Sequence, residues 1–284
     1  MQPHKVLDWS AVMTFTAGTV PQDLLLGLIT AHLLADFAFQ TDQDIRLKRQ
    51  FRVWVFARHG LLHAAAAYCL SGLWPVWQIP AVVPVVHPLI DLAKEAGTRW
   101  LASHRKDAVL PARWKLVALL ADQALHLGVL FALVVLLDGA GQISGPTFWT
   151  TVLGKLWIKI LVLSAGFILS VYAGGVVVGI LVEPLVRELH STGDESSLTP
   201  RRRGFEKGGR YIGQLERTLI LLFVLVDQPT GVGFLVAAKS VFRFGDLKEH
   251  EDRMEAEYII IGTMLSFAWG LVAAWLTQYV LQNI

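Results

Sequence analysis

The chain has almost no cysteine and little charge. Of its 284 residues a single one, Cys69, is a cysteine, and only 17% are Asp, Glu, Lys or Arg. One thiol excludes an internal disulfide and any redox chemistry by paired thiols, so no oxidising compartment is implied. A charged fraction well below the roughly one quarter of a soluble domain comes with 54% hydrophobic residues and a net charge of only +2. The mean hydropathy is +0.50. Too little polar surface is left to cover such a molecule in water, which excludes a secreted or nucleic-acid-binding soluble protein. No removable leader is expected either: the first twenty residues hold Lys5 but no apolar core followed by a small-residue cleavage site, so insertion is expected to use the mature helices. Strict alternation of apolar and polar residues is also lacking, which excludes a β-barrel and leaves a helical bundle as the way to satisfy the backbone in lipid.

What the chain does have is long apolar runs. Several reach the roughly 20 residues a spanning helix needs: seven strong segments and one short one run over 22–40, 53–73, 79–98, 114–138, 154–185, 210–227, 231–244 (the short one) and 256–281. The fold class expected is therefore an all-α, polytopic membrane protein of about seven to eight membrane elements. Basic residues gather in alternate connections: Arg46, Lys48, Arg49, Arg52 and Arg58; then Arg99, Arg105, Lys106 and Arg113; then Arg187, Arg201, Arg202, Arg203 and Lys207; then Lys248 and Arg253. The intervening connections have almost none. That alternation places the basic loops in the cytoplasm and both termini outside. A hydrophilic stretch at about 190–208 reads as a flexible cytoplasmic linker, separating a membrane domain at 1–150 from a second one at 151–284.

Ionisable side chains inside spanning helices are costly, so each is a functional candidate in need of a partner. The first four segments carry eight, as four pairs at spacing i, i+4: His32 and Asp36, His59 and His63, His87 and Asp91, Asp122 and His126. That spacing puts both members of a pair on one helix face, one turn apart. With alternate helix directions and a rise of about 1.5 Å per residue, all eight fall in one layer about 6 to 18 Å from the cytoplasmic ends. Five imidazoles and three carboxylates in a layer are the donor set of one or two divalent transition-metal ions, zinc first, with manganese or iron as alternatives. The competing explanation is a hydrogen-bonded polar core. Asp36 and Asp91 are the candidates for bridging ligand or catalytic base. Arg58, next to His59, is a candidate for holding an anionic group. Arg217, Lys239 and Arg243 in the second half form a candidate pocket for anionic headgroups, against a simpler reading as interhelical salt bridges. Thr41, Asp42 and Asp44 read mainly as a solvated turn. Pro88 follows His87 and removes the amide donor for the carbonyl of Pro84, which predicts a kink.

The strings Ala31-His32-Leu33-Leu34-Ala35-Asp36-Phe37 with Gln40-Thr41, Arg58-His59-Gly60-Leu61-Leu62-His63-Ala64, His87-Pro88-Leu89-Ile90-Asp91 and Asp122-Gln123-Ala124-Leu125-His126 resemble those of an uncharacterised family of bacterial multi-pass membrane proteins, a domain of unknown function. The resemblance covers roughly the first half. Gly209 to Arg217 and Ala238 to Phe244 look like an extension found in part of that family. More loosely, the His and Asp pairs are similar to those of inner-membrane metal-dependent hydrolases. These readings imply a bacterial inner-membrane protein that hydrolyses a lipid or phosphoester substrate with a metal-activated water and has membrane lipids as its partners. The alternatives are a divalent-cation transporter or metal sensor, bis-histidine haem ligation, or a non-catalytic scaffold.

Overall fold

The structure, a computed structural model, describes residues 21–105, 110–192, 208–244 and 253–284. Every regular element among them is helical. In chain order these are α1 (Gln22–Leu33), which continues into a π-helical turn at Leu34–Ala38, α2 (Asp42–Arg49), α3 (Val53–Ser71), α4 (Gln78–Arg105), α5 (Ala112–Gly139) and α6 (Phe148–Leu153). The second half holds α7 (Lys155–Phe167) with a second π turn at Ile168–Ala173, then α8 (Gly174–Thr192), α9 (Gly208–Leu225), α10 (Thr230–Phe244) and α11 (Arg253–Gln282). The linker expected at 190–208, with Arg201, Arg202, Arg203 and Lys207, lies largely outside the described residues, as do Lys5, Lys106 and Lys248.

Three stretches are long and apolar enough to cross a membrane: Ala112–Gly139, Lys155–Leu189 and Ala256–Gln282. The count rises to four if α1 with its π turn is joined to α2 across a bend of 87°. By length and composition these helices are consistent with a membrane protein. The number is smaller than the seven to eight read from the sequence, for a physical reason. Helices α3 and α4 coincide with expected segments, but Arg58, His59 and His63 in one, and His87, Asp91, Lys94 and Glu95 in the other, lower their mean hydropathy.

The bend also corrects the reading of Thr41, Asp42 and Asp44 as a solvated turn. Thr41 is the N-cap of α2: its Oγ1 accepts from the Asp44 N–H at 3.2 Å, while Asp44 Oδ2 accepts from the Thr41 N–H at 3.1 Å and its hydroxyl at 2.8 Å. This reciprocal box starts a helix, and Asp42 and Asp44 at its first turn with Arg46, Lys48 and Arg49 at its last suit the helix dipole. Asp44 is buried. Running across the end of α1, α2 carries Lys48 back toward the bundle interior.

Two close approaches set the packing around the first four long helices. A Cβ on Gly27 of α1 would lie 2.9 Å from the Leu70 carbonyl of α3, and one on Gly60 of α3 would lie 2.5 Å from Pro88 Cγ and 2.8 Å from the Pro84 carbonyl of α4. Only glycine permits either approach. Helix α4 runs through Pro84 and Pro88 from Gln78 to Arg105, so the carbonyl that Pro88 leaves without an amide donor faces Gly60. The halves pack together: α7 lies against α1, α8 against α5, and the two π turns against each other. Thr30 Oγ1 reaches the Leu161 carbonyl at 3.3 Å, and Lys115 pairs with Glu183 at 2.7 Å.

Candidate metal centre

The layer of side chains begins with Gly60. Because α3 and α4 touch there, His59 and His63 on one side and His87 on the other converge; the rings of His63 and His87 stack with centroids 3.5 Å apart. The π turn in the first helix supplies the fourth member. It starts after His32 and includes Asp36, with the Phe39 N–H reaching the Leu34 carbonyl at 3.0 Å, a five-residue step. Single π turns inside α-helices recur at functional sites, since the added residue re-aims the side chains beyond it. Here Asp36 Oδ1 lies 3.0 Å from His59 Nε2, 3.4 Å from His63 Nε2 and 3.5 Å from His87 Nε2, while His59 Nε2 and His63 Nε2 are 3.1 Å apart. Nitrogen and oxygen donors at the 2.0–2.2 Å of a tetrahedral zinc site are themselves about 3.3–3.5 Å apart. The four side chains hold their donor atoms close to that separation.

The remaining candidates ring this group. The rings of His32 and His126 have centroids 4.9 Å apart, and each also faces His87. Together with Asp36 they form a second triplet that could hold an ion, and His87, Asp91 and His126 form a third. Asp122 joins neither triplet. Its Oδ2 accepts from Lys94 Nζ at 3.0 Å, and its backbone carbonyl faces His126 Nδ1 at 2.9 Å. All eight residues sit in the cluster, and seven belong to groups with metal-binding geometry.

Three contributors went unread in the sequence. Lys48, which looks there like one more basic loop residue, is buried and donates to Asp91 Oδ2. Lys94, one turn past Asp91, bridges Asp122 and, at 3.6 Å, Asp91 Oδ1. Gln123 donates to Asp36 Oδ2 at 2.9 Å and pairs with His32 Nε2 at 3.1 Å, fixing both. The sequence signal was present for Lys94, which follows Asp91 at i+3 on the same face. Nothing in the sequence marked Lys48 as buried.

The three carboxylates are compensated unequally. Asp91 has Lys48 and Asp122 has Lys94, whereas Asp36 has no lysine or arginine among the described residues, only imidazoles and Gln123. Counting imidazoles as neutral, the cluster carries three negative and two positive charges. One divalent ion would leave an excess of +1 and two would leave +3, and uncompensated charge inside a bilayer is expensive. The residues fit one ion, at Asp36, His59, His63 and His87. Of the four donors, His87 Nε2 is buried and makes no hydrogen bond, which suits a ligand atom better than a member of a satisfied polar core.

The other sequence candidates are placed differently. Arg58 pairs with Asp44 and lies over the Trp54 ring, with its side chain 58% exposed, so it points away from the imidazoles. Burial pushes the Asp44 carboxyl up, but donation from Thr41 and the charges of Arg58 and His59 outweigh that and hold it below the usual carboxylate value. Arg217 is buried among α7–α8, α9 and α11, where Nη1 donates to Ser266 Oγ at 2.8 Å and Nη2 to the Val171 carbonyl of the second π turn at 2.9 Å. Lys239 pairs with Glu216 at 2.6 Å. The side chain of Arg243 lies outside the described residues. Cys69 is exposed and its carbonyl accepts from Trp149 Nε1.

Residues 24–148 match the family described as "Protein of unknown function (DUF3307)". The match runs from α1 to the first residue of α6 and contains the whole cluster, including Lys48, Lys94 and Gln123. No curated protein and no solved structure matches the chain.

Proposed function

We propose that the DUF3307 region, residues 24–148, is a membrane-embedded, metal-dependent hydrolase. The observation that carries this reading is the lysine-free carboxylate, Asp36, with Oδ1 at 3.0, 3.4 and 3.5 Å from three imidazole nitrogens. A divalent ion, zinc first and manganese or iron otherwise, would be held by Asp36, His59, His63 and His87. Its contribution would be to lower the pKa of a bound water toward neutrality.

The chain's own groups do the rest. Asp91 is the base: Lys48 and the ring neighbours hold its Oδ2, so its hydrogen-bond-free Oδ1 can take the proton of the attacking water. The water oxygen forms a bond to the phosphorus or acyl carbon of an ester, the ester oxygen leaves, and the proton passes from Asp91 to that leaving oxygen. Lys94, about one-quarter exposed and flanked by Asp91 and Asp122, can offset negative charge on the substrate. His32 and His126, positioned by Gln123 and by the Asp122 carbonyl, support the ligands through their ring contacts with His87. The alternation of basic connections supports an orientation with this end of the bundle toward the cytoplasm, and the membrane we propose is the inner membrane of a bacterium.

The test is elemental analysis and assay of purified full-length protein. One equivalent of metal per chain and hydrolysis of a phosphoester or carboxyl ester are expected. His63→Ala should remove metal and turnover together, and Asp36→Asn should lower metal content. Asp91→Asn should keep the metal and lower kcat about 10²- to 10⁴-fold. Less than about a tenth of an equivalent, in protein that takes up none on reconstitution, would make the cluster a hydrogen-bonded core. His63-dependent passage of metal across liposomes without turnover would make it a transport site.

A further inference from the structure

Helix α2 ends on a phenylalanine in a position that glycine usually fills. The Phe51 N–H donates to the Lys48 carbonyl at 2.8 Å and the Arg52 N–H to the Leu47 carbonyl at 3.2 Å, the paired bonds that close a helix through one left-handed residue. Phe51 is that residue, with φ at 55°, a conformation that glycine takes freely and a bulky residue rarely adopts. What the phenylalanine adds is its ring. The Arg99 guanidinium of α4 lies over it, 5.5 Å from the centroid, and Phe51 also lines a groove between α3 and α4. Phe51, Val53 and Phe56 wall that groove on one side and Val85, Leu89 and Leu92 of α4 on the other, around about 190 Å³, many times the roughly 10–15 Å³ that one water needs. Val85, Leu89 and Leu92 are exposed while His87 and Asp91 are buried, so the groove lies on the side of α4 turned away from the metal centre. Seven residues make nearly two turns, so Arg99 stands on the face of Leu92 about 10 Å farther along the helix, and the exposed residues between them, Ala93, Ala96 and Gly97, are small. Neither Arg99 nor Arg52 has an ion pair among the described residues. Glu95, one turn before Arg99, lies instead among the charges of Lys94, Arg49 and Lys48.

We infer that this groove binds an anionic phospholipid, its phosphate on Arg99 and Arg52 and one acyl chain between α3 and α4; the site does not depend on the metal or on the proposed hydrolysis. The groove is apolar along its walls and cationic at one end only, which is the order of an anionic lipid in a leaflet. Exposed Trp54 and Trp100, close in the chain to Phe51 and Arg99, are the residue type that gathers at the headgroup level, and they mark the arginine end as the surface side. Contact with the Phe51 ring steadies the guanidinium by its face and leaves its N–H edge for a phosphate. A partner helix would need a seam the length of a span, whereas these walls cover Val85 to Leu92, about two turns. Free phosphate would leave the apolar walls without an occupant, and a lipid with no net charge would leave the two guanidiniums uncompensated. A chain gains little from leaving lipid tails for equally apolar walls, so the groove sets the lipid's place and the arginines supply the preference.

The test is native mass spectrometry of the delipidated full chain in detergent, titrated with dioleoyl phosphatidylglycerol and, separately, with phosphatidylcholine of the same chains. The first phosphatidylglycerol should bind about fivefold or more tighter, the size expected of one or two basic residues at a membrane surface. Arg99→Gln should remove that preference. Leu89→Trp, which fills the groove from an exposed position, should weaken the phosphatidylglycerol complex by a similar factor, and Val85→Trp serves if the first tryptophan variant does not fold. Phe51→Gly should weaken the complex while the Tm stays the same or rises, a combination that a purely structural helix cap does not give. Leu136→Trp, exposed on α5, is the control and should bind like the parent protein. Equal affinity for the two lipids, or phosphatidylglycerol binding insensitive to both Arg99→Gln and the tryptophan in the groove, would overturn the inference. Sensitivity to Arg99→Gln alone, with inorganic phosphate competing, would reduce the site to a surface anion site and overturn the seated chain.

Discussion

The Lys48 ammonium sits on Oδ2 of Asp91, and both side chains are buried. The pair joins the short helix α2 to the centre of α4, and it satisfies one of the three carboxylates without a metal. A carboxylate stripped of its closest cation in such a place is strongly destabilising, by about 3 to 5 kcal/mol, whereas removing both charges is far milder. Lys48→Met should therefore lower the Tm of the detergent-solubilised protein markedly, and Lys48→Met with Asp91→Asn should recover most of the loss. A single variant as stable as the double one would show that Lys48 does not hold Asp91.

Gly60 is the contact on which the ligand geometry depends. In Gly60→Ala the new methyl would meet Pro88 Cγ at 2.5 Å and the Pro84 carbonyl at 2.8 Å, so α3 and α4 must separate. Overpacking of this kind costs about 1 to 3 kcal/mol, and it moves His59 and His63 away from His87. Weaker metal retention on dialysis is expected, more than the loss of stability alone would give. Gly128→Ala on α5, where nothing lies within 4 Å, is the control and should retain metal like the parent protein.

In the second half, Arg217 ties α9 to α11 through Ser266 and to the second π turn through Val171. Glycines 174, 175, 213 and 270 leave the room its side chain occupies. One ammonium cannot span two acceptors on different helices as a guanidinium fork does. Arg217→Lys should cost about 1 to 3 kcal/mol, read as a lower Tm, with metal content per folded chain unchanged. Loss of metal in that variant would mean that the second half shapes the centre directly.

The Thr41–Asp44 box gives α2 a pH dependence. The folded carboxyl of Asp44 titrates below its ordinary value, so its stabilisation is present above about pH 4 and is lost as the pH falls through the lower, folded value. The Tm difference between the parent and Asp44→Asn should be constant from neutral pH to about pH 5 and shrink below about pH 4. A difference that does not change with acidification would remove the ionised carboxylate from the cap.

Helix period and the dislike of lipid for charge were enough, from the sequence alone, to set out the long helical stretches and to pick out the four His and Asp pairs, because both act within one segment. The i, i+4 spacing fixes a face and the distance from a segment end fixes a depth, so the eight side chains were legible as one layer. Contacts between segments decided the rest. Lys48 carries the same signature as any basic loop residue until the 87° turn before the Thr41-capped helix returns it to Asp91. The π turn that aims Asp36 at three imidazoles leaves no mark in a pattern of apolar residues. Thus the sequence determined which donors share a layer. The close approach of Gly60 to Pro88 and the pairing of two carboxylates with two lysines, which are matters of interhelical distance, decided that Asp36 faces three imidazoles and is the carboxylate without a lysine partner among the described residues.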